Sequence, residues 1–236
     1  MKPEKRIQEN LLRIQEKILE AQNKTGLNWP VTIVGVTKTH SPDTILAAIA
    51  AGMANIGENR VQEAEGKFST IQISKTVTKH MIGHLQSNKV KKALMIFDRI
   101  DSIDSKILAD RINTIAKRLN KTIPVLLEIN TSGEKQKHGF DIKKNEDILS
   151  CFGLDNLKIE GLMTVGPNTR EETKIRASFS SLRSLLDTLN GQLSIARQKI
   201  STLSMGMSSD YLIGVEEGST MIRIGTALFG PRNSYI

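Results

Sequence analysis

The amino-acid sequence predicts one α/β domain spanning residues 1–236, folded as a single (β/α)8 TIM barrel with an extra N-terminal helix. Short apolar runs alternate with longer amphipathic stretches along the chain, which is the pattern of parallel strands joined by helices. Eight such runs are present, the number of strands that closes this kind of barrel. Neither a shift in composition nor a linker rich in Pro, Gly and Ser divides the chain. A doubly wound open sheet is the alternative that the same alternation allows.

The first predicted element is a helix over residues 5–23. One apolar stripe runs along it, formed by Ile7, Leu11, Ile14, Ile18 and Leu19. Such a stripe is typical of a helix that packs one face on a core. Because this helix precedes the first strand, we expect it to cover the bottom of the barrel.

The eight predicted strands are short apolar segments separated by helical patterns. They cover residues 33–38, 55–58, 80–84, 99–103, 123–130, 159–165, 202–205 and 221–224. The helices predicted between them cover residues 42–52, 61–68, 87–95, 105–120, 144–152, 170–190 and 208–217. Two of these helices have clear start signals, because Ser41 precedes a proline at the first helical position and Ser105 precedes a long apolar-periodic run.

The composition indicates a soluble globular protein, with 39% hydrophobic and 25% charged residues and no apolar run long enough to span a bilayer. The N-terminal segment is charged and amphipathic and lacks a secretory signal, so we expect a cytoplasmic protein without a membrane partner. The formal net charge is +8, but the basic residues are spread over predicted outward helix faces. Aromatic residues make up only 4% and do not interleave with the basic ones, so we expect no nucleic-acid partner.

Cysteine and histidine usage predicts neither a disulfide nor a metal site. Cys151 is the only cysteine, which excludes an internal disulfide. It lies at a predicted helix end among apolar residues, where a buried side chain is favoured over a reactive thiol. The 4 histidines show no clustered metal-ligand spacing.

In a (β/α)8 barrel the chemistry lies at the C-terminal ends of the strands. Functional residue types collect at the predicted strand ends of this chain. They are Lys38, Glu58, Asn59, His84, Asn130, Met163, Thr164, Ser204, Met205, Arg223 and Thr226. If the barrel prediction is right, these residues meet at one mouth.

Lys38, at the end of the first predicted strand, is the residue that most restricts which reactions the site could support. A desolvated lysine has its neutral amine favoured, which is the form that attacks an aldehyde carbonyl. Arg223 and Gly225 share one face of the last strand, so the guanidinium can point into the mouth while the glycine lets a phosphate approach the backbone. Gly206 and Ser208 lie where free backbone N–H groups would suit a phosphate. These residues favour pyridoxal 5'-phosphate as the cofactor.

Seven ordered motifs extend over nearly the whole chain after residue 30. They are Val34-Gly-Val-Thr-Lys38, Gly57-Glu-Asn-Arg-Val-Gln-Glu63, His80-Met-Ile-Gly-His-Leu-Gln-Ser-Asn-Lys89, residues 134–139, Gly161-Leu-Met163, Ser204-Met-Gly-Met-Ser-Ser-Asp210 and Arg223-Ile-Gly-Thr-Ala-Leu-Phe-Gly230. In this order they resemble the pyridoxal-phosphate homeostasis proteins, also called the YggS/PROSC family. The resemblance implies a barrel similar to the N-terminal domain of alanine racemase.

The resemblance also implies roles for eight cofactor-binding residues and for no catalytic residue. These roles are a Schiff base on Lys38, phosphate contacts from Ser204, Gly225 and Thr226, a partner for the pyridine nitrogen at Arg223, and pocket lining by Asn59, His84 and Met205. Three positions depart from the usual pattern of the family. Lys79 replaces a common tryptophan, Arg60 a frequent tyrosine and Gly214 a usual helical alanine. The departures concern rim contacts and local helix stability rather than cofactor binding.

The function implied by the resemblance is non-catalytic homeostasis of pyridoxal phosphate (vitamin B6). We expect the protein to buffer the cofactor or deliver it to pyridoxal-phosphate-dependent apo-enzymes, and to be a monomer. Alanine racemase needs a second proton-transfer residue from an additional β domain, whereas only residues 231–236 follow the last motif, and Tyr211 and Tyr235 lie in a predicted helix and in the tail. An arginine beside the pyridine nitrogen also makes the cofactor a poorer electron sink.

Two other functions stay open from the sequence. One is a pyridoxal-phosphate-dependent amino-acid racemase, and the other is a barrel enzyme that uses the lysine on a phosphorylated sugar. A visible absorption band of the bound cofactor would exclude the sugar enzyme. Chiral analysis of alanine would separate the carrier from the racemase.

Overall fold

Parallel strands form the centre of the molecule. The computed structural model describes residues 2–134, 136–193 and 199–231 of the chain. Within these ranges the strands are β1 (Thr32–Val36), β2 (Asn55–Glu58), β3 (Thr78–Met81), β4 (Arg99–Ile103), β5 (Ile123–Asn130), β6 (Phe140–Asp141), β7 (Leu157–Met163), β8 (Thr202–Met207) and β9 (Met221–Ile224). All pairings between them are parallel.

The sheet closes on itself. Around the ring the strands follow the order β1, β2, β3, β4, β5, β7, β8 and β9, and β9 pairs with β1 again. The two-residue strand β6 adds to the C-terminal end of β5, outside this ring. The predicted (β/α)8 barrel is therefore confirmed. The open doubly wound sheet is excluded, because such a sheet would have two edge strands where this one pairs β1 with β9 and β4 with β5.

Helices surround the barrel. In the described ranges they are α1 (Pro3–Thr25), α2 (Pro42–Ala50), α3 (Val61–Phe68), α4 (Val90–Ile96), α5 (Lys106–Arg118), α6 (Asn145–Ser150), α7 (Glu172–Leu193), α8 (Tyr211–Glu216) and α9 (Thr226–Phe229). The predicted start signals act as caps, since Ser41 Oγ accepts a hydrogen bond from the Thr44 amide and Ser105 Oγ accepts one from the Leu108 amide. Helix α9 and strand β6 are absent from the prediction, because segments this short show no periodicity.

Helix α1 lies beside the barrel, so the prediction that it covers the bottom is wrong. Near its start, Asn10 Nδ2 donates to the carbonyl of Leu228 in α9 at 2.9 Å, and beyond its end Trp29 Nε1 donates to the carbonyl of Ser219 just before β9 at 3.2 Å. The helix therefore runs antiparallel to β9 along the outside. Its inner face packs against α2, α8 and α9, while Leu19, predicted to be part of that face, is 60% exposed.

One apolar cluster inside the barrel lies directly below a polar layer. Val34, Leu126 and Met163 pack together inside the ring with Met221. Side chains two residues further along a strand face the same way, one layer closer to the C-terminal ends. The structure puts charged residues in that layer, Glu128 on β5 above Leu126 and Arg223 on β9 above Met221. The mouth is thus polar, and a further buried polar group lies on β3 and β4, where His80 and Arg99 bond to Asp101.

Cys151 is buried at the end of α6, as predicted, and burial raises the pKa of its thiol to about 11, so the thiol is not an activated nucleophile. Among the helices in the described ranges, none combines the length and the hydropathy that crossing a bilayer requires.

Candidate functional site

A cavity of about 420 Å³ opens at the C-terminal ends of β1, β8 and β9. Its lining is Val36, Lys38, Met207, Ser208, Ser209, Arg223, Gly225 and Thr226. Four residues predicted for the site from distant parts of the sequence, Lys38, Arg223, Gly225 and Thr226, therefore meet here. We call this space the lysine cavity.

Lys38 lies two residues beyond the end of β1, in a loop that a buried ammonium group holds in place. Lys67 Nζ on α3 donates to the carbonyl of Thr37 at 2.8 Å and to Glu58 Oε1 on β2 at 2.9 Å. The Thr37 hydroxyl donates to the same Glu58 oxygen at 2.7 Å. These bonds tie the residue before Lys38 to the neighbouring strand, so the loop is anchored where the lysine enters the cavity.

The far side of the same loop is fixed as well. The amide of Thr39 donates to Glu63 Oε1 at 2.5 Å, and Lys67 Nζ donates to that oxygen at 2.6 Å. Burial by itself would raise the pKa of Glu63, but these hydrogen bonds outweigh burial and hold the pKa below its ordinary value. Thr39 itself has a φ of 66°, a left-handed conformation that non-glycine residues seldom adopt. Such a conformation persists only where its surroundings enforce it.

Arg223 is buried and its guanidinium has fixed partners. Nη1 donates to the carbonyl of Ser204 at 2.9 Å and to its hydroxyl at 2.7 Å, while Nη2 donates to the carbonyl of Thr164 at 2.8 Å. Burial lowers the pKa of Arg223, and the nearby carboxylates of Glu128, Asp101 and Asp210 oppose that shift. The cation is thus held in one orientation beneath the lysine cavity.

Two predicted site residues on β8 take other places. Ser204 is fully buried, accepts from Arg223 and does not line the lysine cavity, so the geometry does not support its predicted phosphate contact. Met205 faces the other side of β8 and belongs to the core that includes Phe179 of α7, so its predicted place in the pocket is corrected to Met207. Alternation along the strand puts Ser204 inside the barrel and Met205 outside it, and the register shift between Ser204 and Met207 lets Met207 face the lysine cavity.

The loop after β8 presents the hydroxyl group of Ser208 at the wall of the lysine cavity. Ser208 Oγ accepts hydrogen bonds from the amides of Gly225 and Ala227, each at 3.2 Å. Gly206 precedes this loop with a φ of 99°, and a Cβ there would lie 2.8 Å from Tyr211 Cα. The close turn that presents Ser208 therefore needs glycine. Both amides are used by Ser208 Oγ, and the Ser208 hydroxyl hydrogen is the donor that this wall offers to a phosphate.

Glu128 is a buried carboxyl group that sequence reasoning missed. Burial raises its pKa to about 7, with Asp104 adding to the rise and Arg223 and His84 opposing it. A signal was available, because Glu128 is the one charged residue within the apolar run of β5. Its placement allows a carboxyl group near the mouth to hold or release a proton close to neutral pH.

Asn59 and His84 lie at the same end of the barrel but line a different cavity. This second cavity, of about 310 Å³, is also lined by Arg60, Gln62 and Lys89 among others. His84 Nδ1 is 2.7 Å from Asp104 Oδ2. Six of the eight predicted residues therefore line the mouth, but they are divided between two cavities.

The remaining sequence observations have plain structural explanations. Lys79 forms an ion pair with Asp98 at 3.3 Å. Gly214 packs so tightly on β8 that a Cβ would lie 2.8 Å from the carbonyl oxygen of Met205, which excludes the usual alanine. Tyr211 is buried in the cluster beneath α1, away from the lysine cavity, and Tyr235 lies outside the described residues.

Known proteins resemble this chain over almost its full length. A family model described as "Alanine racemase, N-terminal domain" matches residues 6–233. A protein of Aquifex aeolicus named pyridoxal phosphate homeostasis protein is 37% identical over 226 residues, which cover 95% of this chain and 97% of that protein. A human protein of the same name is 33% identical, with 94% of this chain and 86% of that protein covered.

Solved structures are also similar to this chain. PipY of Synechococcus elongatus, determined with pyridoxal phosphate bound, is 34% identical and has a TM-score of 0.81, over 95% of this chain and 100% of that one. Alanine racemase of Clostridium difficile 630 has a TM-score of 0.72 at 18% identity and is covered over 58% of its length. The second similarity concerns the fold alone.

Proposed function

This chain belongs to the pyridoxal phosphate homeostasis protein family, and from that premise we propose that it holds pyridoxal 5'-phosphate as a Schiff base on Lys38 and buffers or delivers it without catalysis. The observation that carries the proposal is the composition of the lysine cavity. It brings an amine, a guanidinium group and a serine hydroxyl together from both ends of the chain. These groups match the aldehyde, the pyridine nitrogen and the phosphate of the cofactor.

The residues present fit the cofactor at each of its polar ends. When bound, pyridoxal phosphate supplies an aldehyde that a neutral amine can capture. Lys38 is the amine in the lysine cavity, and the anchored loop keeps it at the mouth. Gly225, Thr226 and the Ser208 hydroxyl form the wall where we place the phosphate.

Arg223 supports a role without catalysis. The guanidinium remains charged and is held by Ser204 and Thr164, so it cannot take up or release a proton for the pyridine nitrogen. A cation at that position disfavours protonation of the ring and weakens its capacity to withdraw electrons. Ser204 therefore acts as a positioning residue for Arg223. Asn59 directly follows β2, the strand next to β1, and remains our candidate for a rim contact; His84 lines the second cavity with it.

The lysine assignment is tested by borohydride reduction and peptide mass spectrometry. We expect the pyridoxyl mass on the peptide that contains Lys38, and we expect Lys38→Ala to lose the visible band of the bound cofactor while its far-UV circular dichroism stays unchanged. Lys89→Ala is the matched control, since Lys89 lines only the second cavity. A pyridoxyl mass on another lysine, with Lys38 unmodified, would overturn the assignment.

Delivery is tested by mixing the loaded protein with a pyridoxal-phosphate-dependent apo-enzyme across a dialysis membrane and without one. We expect the enzyme to regain activity faster in direct contact than across the membrane. Equal rates would mean that the cofactor simply dissociates and that the protein is a buffer. We expect such transfer to take place in the cytoplasm and to involve the monomer.

The racemase alternative rests on the alanine racemase fold. Incubation of the loaded protein with L-alanine, followed by chiral chromatography, separates the two functions. We expect no D-alanine above the level of free pyridoxal phosphate. D-alanine that forms in proportion to protein concentration and disappears in Lys38→Ala would establish the enzyme instead.

A further inference from the structure

Three side chains able to ligate a metal ion meet at the barrel mouth, outside the lysine cavity. His84 follows β3, Asp104 follows β4, and His138 lies between β5 and β6. One ligand atom from each residue lies within 4.8 Å of the others. Their spacing in the sequence is irregular, which is why no metal site was expected from it; three neighbouring strands of the barrel bring them together.

Asp104 is the fixed centre of this group. Its side chain is 8% exposed, and its Oδ1 accepts a hydrogen bond from the Ser105 hydroxyl at 3.2 Å, which leaves Oδ2 facing the imidazoles. His84 Nδ1 lies 2.7 Å and His138 Nδ1 lies 3.6 Å from that Oδ2. The longer distance is not a hydrogen bond, so His138 is held beside the carboxylate mainly by its ring contact with His84.

We propose that His84, Asp104 and His138 bind one divalent transition-metal ion of the Zn²⁺ type. Two imidazole nitrogens and one carboxylate oxygen are a ligand set that suits Zn²⁺, Co²⁺ or Ni²⁺. Mg²⁺ and Ca²⁺ favour sites made of oxygen ligands alone, so they fit this group less well. A tetrahedral ion with three protein ligands keeps its fourth position for water. This proposal is independent of the function proposed for the lysine cavity.

Binding requires one histidine ring to move. The rings of His84 and His138 are stacked, with centroids 3.9 Å apart and planes 12° from parallel. A ring nitrogen binds a metal along a direction in the ring plane, and two nearly parallel rings cannot both point at one ion. His138 is 57% exposed, so its ring is free to tilt toward Asp104, whereas the buried carboxylate stays in place. The ion therefore replaces the ring stack with a coordinated pair.

The carboxylate of Asp104 favours the cation at this position, and ionised Glu128 adds to the effect above about pH 7. Glu128 interacts electrostatically with both Asp104 and His84. A divalent cation between the imidazoles would interact favourably with both carboxylates, which otherwise repel one another. The second cavity, which His84 also lines, gives a path by which the ion or its water can enter.

The test is a calorimetric titration of chelator-treated protein with ZnCl₂, followed by NMR of the imidazole nitrogens. We expect one equivalent to bind to the wild type, and we expect Asp104→Asn and His138→Ala each to weaken binding by at least about tenfold. Asp98→Asn is the matched control, because Asp98 is an exposed carboxylate that pairs with Lys79. The affinity and stoichiometry of Zn²⁺ binding to this control variant should equal those of the wild type.

NMR identifies the ligands even if a variant fails to fold. The chain has only 4 histidines, so every imidazole can be followed. We expect Zn²⁺ to shift the nitrogen resonances of His84 and His138 and to leave those of His40 and His80 in place. Absence of binding, or binding that shifts only His40 or His80, would overturn the site. Equal affinity in the wild type and in a folded Asp104→Asn variant would overturn it as well.

Discussion

Arg223 shows how one buried cation depends on its acceptors. Its two terminal nitrogens bond to three oxygens, and the Ser204 hydroxyl is the one side-chain acceptor among them. Removing that hydroxyl leaves Nη1 with only the carbonyl of the same residue. A buried donor that loses a partner keeps its desolvation cost, so the loss is larger than that of an exposed hydrogen bond.

We therefore expect Ser204→Ala to lower the free energy of unfolding by about 1.5–3 kcal/mol, the usual range for a hydrogen bond to a charged group. Denaturant unfolding followed by circular dichroism measures the change. Ser209→Ala is the control, since Ser209 is exposed and lines the lysine cavity without bonding to Arg223. Equal stability of Ser204→Ala and the wild type would contradict the positioning role of Ser204.

Glu128 makes the stability of the protein depend on pH. Burial raises its pKa from an ordinary value of 4.5 to about 7, so the folded state binds more protons than the unfolded state between these values. The free energy of unfolding must then fall as pH rises from about 4.5 to about 7, and it stays at the lower value above that range. The loss of unfolding free energy is at most about 3.4 kcal/mol, given 1.36 kcal/mol for each of about 2.5 pKa units.

Glu128→Gln should remove this dependence. We expect the variant to be more stable than the wild type at pH 8, and the difference to shrink as pH falls toward 5, because glutamine carries no charge to desolvate. Urea unfolding at several pH values between 5 and 8 measures it. Glu65→Gln, at a half-exposed ion pair with Lys92, should show no such trend. If the stability advantage of Glu128→Gln over the wild type grew toward low pH, the pKa of Glu128 would not be raised.

At the scale of elements, α8 must approach β8 closely because the loop between them forms a wall of the lysine cavity. Gly214 allows this approach, with the carbonyl oxygen of Met205 only 2.8 Å from the position of a Cβ. Helix propensity alone favours alanine over glycine by about 1 kcal/mol. Packing and propensity therefore oppose one another at this residue, and the steric conflict is the larger effect.

We expect Gly214→Ala to destabilise the protein by about 1–3 kcal/mol, the range for overpacked cores. In contrast, Gly191→Ala in α7 should raise stability by up to about 1 kcal/mol, since a Cβ there meets nothing within 4 Å. Thermal unfolding of the two variants gives opposite shifts in Tm. A rise in Tm for Gly214→Ala would mean that α8 can move away from β8 without cost.

At the scale of the whole molecule, α1 is part of the ring of helices. Its buried residues pack with α2, α8 and α9, and Asn10 and Trp29 connect its two ends to the last strand segment. A helix held at both ends and along one face should unfold together with the barrel. Trp29, the only tryptophan of the chain, reports on this contact directly.

We expect Trp29 fluorescence and far-UV circular dichroism to give coincident unfolding curves. Ile7→Ala should shift both curves together and cost about 2–5 kcal/mol, because Ile7 is 1% exposed. Leu12→Ala, on the exposed face of α1, should change stability by no more than about 0.5 kcal/mol. A fluorescence change that precedes the loss of circular dichroism would show that α1 detaches first.

The sequence by itself determined the barrel and half of the lysine cavity. Periodicity is a local property, so strands such as β2, β4, β5 and β9 were predicted at both ends. Parallel strands bring their C-terminal ends together, and that rule places Lys38 near Arg223 and Gly225 without knowledge of the tertiary structure. The motifs then connected these residues to a family.

Only the tertiary structure decided which side chains face which neighbour. Ser204 and Met205 are adjacent in the chain but face opposite sides of β8, so Ser204 contacts Arg223 inside the barrel whereas Met205 joins the core outside it. The side position of α1 depends on the face that α8 and α9 leave open, which no local pattern encodes. The meeting of His84 and His138 at Asp104 depends on loops from three strands. Periodicity predicts elements, whereas contacts between distant residues arise only when those elements pack.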